Sequence, residues 1–140
     1  MRVLVIDDEP DVLLLCRVNL EIAGHEVLEA PSGERGLALA FAEAPDVILL
    51  DLMLPLRDGL DVLAELISDS RTHGTPVILL TAKAQVEDQV AGWEAGCAEY
   101  VTKPFSPAAL TDLVDRVVEM PAGERRDRRE LELGRLAHRG

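Results

Sequence analysis

Polar side chains follow four separate aliphatic runs of this chain, each at the point where the run ends. They are Asp7 and Asp8, Asp51, Thr81 and Lys103. If the four runs are neighbouring parallel strands, these groups all lie at the carboxyl edge of one sheet. Three carboxylates, a hydroxyl and an ammonium would then meet in a pocket able to hold a divalent cation together with a phosphoryl group.

The carboxylates carry the clearest chemical signal. The adjacent pair Asp7 and Asp8 predicts a metal site, and oxygen-only ligands favour a hard ion such as Mg²⁺. An isolated Asp-Asp pair is more often a solvated loop, but an acidic edge facing Asp51 favours a bound cation. Asp51 is the candidate nucleophile, because a carboxylate can attack a phosphoryl group and form an aspartyl phosphate.

The two remaining groups complement that chemistry. The Thr81 hydroxyl can donate to a phosphoryl oxygen, and the Lys103 ammonium can neutralise the transferred charge. Taken singly, a strand-end cap and a surface lysine remain the alternatives, and only the joint placement favours a site. The bond between Lys103 and Pro104 is of the kind that can be cis, which would aim the ammonium back over the sheet edge, and an ordinary trans bond is the alternative.

Alternating elements must position these groups. We predict strands at 2–6, 25–28, 46–50, 77–80 and 99–102, separated by helices at 10–23, 33–44, 59–68, 85–95 and 107–120. Ser32, Asp58 and Ser106 are placed to cap helices. Unbroken aliphatic strands alternating with helices predict an α/β fold, doubly wound, with a parallel sheet covered on both faces.

Size and composition bound the function. A chain of 140 residues suits one domain, and a formal net charge of −12 argues against direct binding of nucleic acid. Cys16 and Cys97 are far apart and predict buried, reduced thiols. No apolar stretch approaches the roughly 20 residues needed to span a bilayer. With no signal-peptide pattern at the start, we expect a soluble, cytoplasmic protein that does not engage a membrane.

The last residues differ from the rest in charge. We divide the chain into a body, 1–120, and a short charged tail or linker, 121–140, which holds six Arg against four acidic residues. Leu131, Leu133 and Leu136 hint at a weak apolar stripe. A solvated, frayed helix is the favoured interpretation, and a linker to an output domain or a dimer or partner contact are the alternatives.

Four segments, taken together, resemble the response-regulator receiver domain of two-component signalling, as in chemotaxis regulators. They are Asp7-Asp8-Glu9-Pro10, Asp51-Leu-Met-Leu-Pro-Leu-Arg-Asp-Gly59, Thr81-Ala82-Lys83, and Tyr100-Val-Thr-Lys103-Pro104-Phe105. The resemblance covers about residues 2–120, and order, spacing and strand context agree. It implies a flavodoxin-like (βα)5 fold with five parallel strands in the order 2-1-3-4-5.

The resemblance also implies a role for each matched residue. Asp51 would accept a phosphoryl group from the phosphohistidine of a sensor histidine kinase or phosphotransfer protein. Asp8 and Asp51 would ligate Mg²⁺ directly with the Met53 backbone carbonyl, and Asp7 would act through a metal-bound water. Such a protein is a signalling switch that catalyses only its own phosphorylation and dephosphorylation.

The remaining implied roles concern the switch. Thr81 and Lys103 would engage the phosphoryl oxygens with help from the backbone N–H of Ala82. Tyr100 would turn inward as Thr81 moves, although a static, half-buried ring is the alternative. The helix at 85–95, the strand at 98–102 and the helix at 106–120 would form the readout face. Its partner would be a downstream protein or an output domain, and a phosphorylation-dependent homodimer is a further alternative.

Two positions depart from the usual pattern of the family, and two others bear on the lifetime of the phosphorylated state. Leu56 replaces a common Gly after Pro55, which predicts a stiffer loop or one shaped for a particular partner. Ala98 replaces a common Asp, which we interpret as a surface change of little consequence. Met53 and Lys83 lie at positions that tune lifetime. Because Met53 has no amide or carboxylate to orient an attacking water, it predicts slow self-dephosphorylation.

Two rival functions share parts of this pattern. Phosphatases of the haloacid-dehalogenase type use an aspartyl phosphate, but they place Asp-x-Asp after the first strand and carry a cap domain. Here Asp51 follows the third strand, and Met53 stands at the place of the second Asp. A dinucleotide-binding fold would need Gly-x-Gly-x-x-Gly after the first strand, where this chain has an acidic segment instead.

Overall fold

The computed structural model describes residues 1–139, in which five parallel strands alternate with helices and a sixth helix follows. The strands pair in the order β2-β1-β3-β4-β5, which confirms the doubly wound, flavodoxin-like fold. The elements are β1 Arg2–Ile6, α1 Pro10–Ile22, β2 Glu26–Ala30, α2 Gly33–Glu43, β3 Val47–Leu50, α3 Gly59–Ser68, β4 Val77–Thr81, α4 Val86–Glu94, β5 Glu99–Thr102, α5 Pro107–Glu119 and α6 Ala122–Ala137.

The central strands are buried on both faces because their side chains alternate between two cores. On β1, Leu4 and Ile6 pack in the core with α2, α3 and α4, whereas Val3 and Val5 pack against α1 and α5. The strands β3 and β4 alternate in the same way. This two-sided burial explains the unbroken aliphatic runs and holds the carboxyl ends of β1, β3 and β4 at one edge.

Side-chain caps begin three helices, as the sequence predicts. The hydroxyl of Ser32 accepts from the N–H of Arg35, the carboxylate of Asp58 from Leu60, and the hydroxyl of Ser106 from Ala109. The Lys103–Pro104 peptide bond is cis. Both cysteines are free and buried, and none of the helices within residues 1–139 is long and apolar enough to cross a membrane.

Some local predictions need correction. The second strand extends to Ala30, beyond the predicted end at 28, because Glu29 and Ala30 continue the pairing with β1. Its polar residues concealed that extension. Ala98 is buried at 6 % exposure, so its assignment to the surface was wrong. Its N–H donates to the carbonyl of Val77, which draws the start of β5 against β4.

The tail differs most from the sequence-based expectation. Residues Ala122–Ala137 form a helix that packs against α4, instead of a solvated and frayed one. The Leu136 side chain is fully buried in the core that contains Trp93, which is fully buried as well. The weak apolar stripe therefore docks on the body. Gly140 lies outside the described residues.

Candidate functional site

The carboxylates converge because the strands that precede them are in register. Ile6 pairs with Leu50, so Asp7 and Asp51 leave neighbouring strands at the same level of the sheet. The N–H of Asp51 donates to the carbonyl of Ile6 at 3.0 Å and holds the two strand ends in this register. Carboxylate oxygens of Asp7, Asp8 and Asp51 all lie within 4.8 Å of one another.

Two of these carboxylates are buried. Asp7 is 1 % exposed and Asp51 is 3 % exposed, whereas Asp8 faces solvent. Backbone donors compensate part of the burial, since the N–H of Glu9 donates to Asp7 Oδ1 and the N–H of Met53 donates to Asp51 Oδ1, each at 2.9 Å. Burial nevertheless raises the pKa of Asp7 above its usual value.

The ammonium of Lys103 supplies the positive charge at this edge. Its Nζ lies 2.8 Å from Asp7 Oδ2, 2.8 Å from Asp51 Oδ2 and 2.9 Å from Glu9 Oε1. Burial alone would lower the pKa of Lys103, but hydrogen bonds to the three carboxylates raise it above its usual value. Lys103 therefore remains charged, and it offsets the repulsion between the two buried carboxylates.

The backbone of Lys83 links Thr81 to Tyr100 by two hydrogen bonds. The Thr81 hydroxyl is buried and accepts from the N–H of Lys83 at 3.3 Å. The Tyr100 hydroxyl donates to the carbonyl of Lys83 at 2.7 Å. One short segment thus contacts both predicted switch residues, and Ala82 lies within it.

The loop from β3 to α3 forms the open side of the site. Met53 is 53 % exposed, and Leu56 is fully exposed with φ at +65°, a left-handed conformation that costs a residue other than glycine about 1 kcal/mol or more. Asp8 and Lys83 line one open pocket with this loop. Gly59 lets the end of this loop pack closely against the backbone of Leu52, since a Cβ there would lie 2.4 Å from the Cα of Leu52.

The structure brings the sequence-predicted residues to one edge. Asp7, Asp8, Asp51 and Lys103 form a single cluster, while Thr81 and Tyr100 are linked beside it. Sequence reasoning missed Glu9, which holds the ammonium from the solvent side. Its position directly after the Asp-Asp pair places it near the site, but no local pattern predicts its contact with Lys103.

The donor set fits a hard divalent cation. The cluster offers carboxylate oxygens and neither nitrogen nor sulfur ligands. Asp8 faces solvent, and the buried Asp7 and Asp51 lie close to it. Mg²⁺ prefers oxygen ligands and retains several waters, so a partly open acidic edge suits it.

Comparisons with known proteins show what this chain is similar to. A family model described as the response regulator receiver domain matches residues 3–115. The chain is 47 % identical over 104 residues to the DNA-binding dual master transcriptional regulator RpaA of Synechocystis sp., covering 74 % of this chain and 43 % of that protein. It is 38 % identical over 117 residues to protein PilH of Pseudomonas aeruginosa, covering 84 % and 97 %.

A solved structure shares the fold. The chemotaxis response regulator CheY4 of Vibrio cholerae superposes with a TM-score of 0.78 at 30 % identity, covering 83 % of this chain and 97 % of that one. The chain spans about half the length of several curated relatives that it matches, whereas it covers nearly all of PilH.

Proposed function

The chain belongs to the response regulator receiver family, and from that premise we propose that Asp51 accepts a phosphoryl group from the phosphohistidine of a sensor kinase or phosphotransfer protein. The single observation that supports this most strongly is the Lys103 ammonium, 2.8 Å from the carboxylates of both Asp7 and Asp51. It places a cation beside Asp51 at a buried edge, where a carboxylate nucleophile needs one.

The transfer itself needs little from the protein beyond position and charge. An Asp51 carboxylate oxygen forms a bond to phosphorus while the phosphorus–nitrogen bond of the donor breaks. The bonding electron pair remains on the imidazole nitrogen. Lys103 then moves from pairing the free carboxylates to pairing a phosphoryl oxygen, with the Thr81 hydroxyl and the Ala82 N–H as further donors.

The acidic residues would hold Mg²⁺. Asp8, Asp51 and the Met53 backbone carbonyl would be its direct ligands in this proposal, and Asp7 would act through a water. When bound, the ion neutralises charge on the phosphoryl oxygens. Asp7 and Asp8 therefore position the reacting group electrostatically, and the backbone donor from Glu9 keeps the Asp7 carboxylate oriented toward the site.

The chemical event becomes a signal through Thr81. When its hydroxyl turns to the phosphoryl group, the bond from the N–H of Lys83 is lost, and the carbonyl of Lys83 that holds Tyr100 moves with it. Phosphorylation then shifts an equilibrium between two arrangements of α4 and β5. A downstream protein, an output domain or a second copy would read that shift. A cytoplasmic location is part of this proposal, since both thiols are free.

Phosphorylation by a small-molecule donor tests the assignment. With Mg²⁺ and acetyl phosphate, the protein should gain the mass of one phosphoryl group, in a form that hydroxylamine removes. Asp51→Asn should gain none, and the exposed Asp61→Asn should behave as the wild type. Equal labelling of Asp51→Asn would contradict the assignment, and steady turnover of a phosphomonoester would favour the rival hydrolase.

Light-scattering mass with Mg²⁺ and beryllofluoride, a phosphoryl mimic, tests the partner. Dimerisation of the wild type but not of Asp51→Asn would support self-association through the readout face. An unchanged monomer that has bound the mimic would support docking to another protein.

A further inference from the structure

The helix α6 lies beyond the part of the chain that matches the receiver family, and it is docked on the body. The family match ends at residue 115, whereas α6 spans Ala122–Ala137. Leu136 is fully buried in the same core as Trp93 of α4, and Leu133 packs partly buried against that core. One face of α6 therefore already covers α4.

A single arginine of α6 holds two elements of the body together. The guanidinium of Arg128 donates to Glu99 Oε1 at 2.9 Å and to Oε2 at 3.3 Å, at the first residue of β5. The same group lies over the Trp93 ring of α4, with 5.7 Å between the guanidinium carbon and the ring centroid. Arg128 also pairs with the buried Glu132. Its contacts thus depend on how α4 sits relative to β5.

The geometry of α4 and β5 is connected to the candidate phosphorylation site. Lys83 contacts the Thr81 hydroxyl through its N–H and the Tyr100 hydroxyl through its carbonyl. The Tyr100 ring lies so close to α4 that a Cβ on Gly92 would be 2.8 Å from its ring carbons. Trp93 and Glu99, the two partners of Arg128 outside α6, are the chain neighbours of Gly92 and Tyr100.

We propose that α6 is the resident occupant of the α4–β5 surface and that phosphorylation of Asp51 weakens its docking, so that the surface becomes available to a partner. This inference rests on the proposed function of Asp51. A shift of Tyr100 against Gly92 changes the spacing between Glu99 and Trp93, and Arg128 cannot keep both contacts. The partner must compete with an amphipathic helix that presents Arg and Leu to this surface.

The coupling is reciprocal by thermodynamic necessity. If the phosphorylated state holds α6 more weakly, then loosening α6 must make that state easier to reach. A variant that weakens α6 docking should therefore bind beryllofluoride more tightly, although it lies outside the acidic cluster.

Hydrogen exchange of the full chain measures the docking directly. With Mg²⁺ and beryllofluoride, the amides of α6 should exchange several-fold faster than without it. Asp51→Asn should show no such change. Fluorine NMR reports separately whether the mimic is bound. Bound mimic with unchanged or slower exchange of α6 would overturn the inference and leave the proposed function standing, whereas failure of the wild type to bind the mimic would overturn both.

Matched variants test the reverse direction. Leu136→Ala removes a fully buried side chain, and Leu131→Ala on the same helix removes one that is 68 % exposed. Arg128→Gln removes the guanidinium that contacts Glu99 and Trp93, and Arg126→Gln makes the same charge change at an exposed position. The first member of each pair should raise α6 exchange about tenfold without the mimic and tighten beryllofluoride binding several-fold.

The controls should resemble the wild type in both measurements. Faster α6 exchange in Leu136→Ala or Arg128→Gln with unchanged affinity for beryllofluoride would show docking without coupling and would overturn the inference. Arg128→Gln keeps the test decisive if the loss of a core leucine compromises folding.

Discussion

The Nζ of Lys103 lies 2.8 Å from Oδ2 of Asp51, although 52 positions separate the two residues in the chain. The same ammonium is 2.8 Å from Asp7 Oδ2, so one cation serves two buried carboxylates that leave different strands. The candidate site therefore carries its own counter-charge, and this charge stabilises an arrangement of acids that would otherwise repel one another.

Removing that charge should destabilise the protein in a way that a cation reverses. In Lys103→Met, Asp7 and Asp51 stay buried without a partner, and we expect the free energy of unfolding to fall by about 3 kcal/mol in chelator. Mg²⁺ should restore much of the loss. Chemical denaturation with and without Mg²⁺ measures both effects. Lys83→Met, which removes an exposed ammonium, serves as control, and an equal loss there would argue against the role of the buried cluster.

Met53 should set a long lifetime for the aspartyl phosphate. Its side chain is 53 % exposed at the rim of the site and offers no group to orient a water, while its N–H is bound to Asp51. We expect Met53→Asn to speed loss of the phosphoryl group several-fold, because an amide can hydrogen-bond the attacking water. The decay of the labelled protein is the measurement. Leu56→Asn in the same loop should leave the rate unchanged. If Met53→Asn lost the phosphoryl group at the wild-type rate, Met53 would not set the lifetime.

The sequence predicts most of the fold because its signals are local. Aliphatic runs and capping residues such as Ser32 and Asp58 mark where elements start, and the polar residues that end the strands place the site. It could not place Glu9 on Lys103, because a contact across 94 positions depends on a side-chain conformation that no local pattern encodes.

The docking of α6 escaped prediction for a related reason. Its apolar stripe is short, and its charge suggested a solvated helix. The decisive contacts pair Arg128 with Glu99 and bury Leu136 against α4, and both depend on the position of the body. Tertiary contacts thus override a weak local pattern.

The Cys16 thiol should make stability fall in alkali. Burial raises its pKa from 9.0 to about 12, with the nearby Asp7 as a smaller cause. The folded protein therefore keeps the proton that the unfolded chain loses, so this contribution is present below pH 9 and is lost as the pH rises toward about 12. Between about pH 8 and about pH 10, Cys16 should cost about 1.4 kcal/mol of stability. In denaturant titrations, the free energy of unfolding of Cys16→Ala should fall less steeply with pH than that of the wild type. An identical fall would contradict a raised pKa of Cys16 in the folded protein.

The contact between Gly92 and Tyr100 should make α4 intolerant of a methyl group. A Cβ at Gly92 would lie 2.8 Å from ring carbons of Tyr100 and 2.8 Å from Leu79 Cδ1. Gly92→Ala gains about 0.5–1 kcal/mol of helix preference but must displace the ring, which costs about 1–3 kcal/mol. We expect a net loss of stability and a weaker bond from Tyr100 to Lys83.

The control is Gly134→Ala in α6, where nothing lies within 4 Å of the added Cβ. That variant should be more stable than the wild type by about 0.5–1 kcal/mol, since only the helix preference changes. Thermal unfolding of both variants gives the comparison. If the two substitutions changed stability alike, Tyr100 would not be packed against α4 as the structure has it, and the route from Thr81 to Trp93 would lose its central contact.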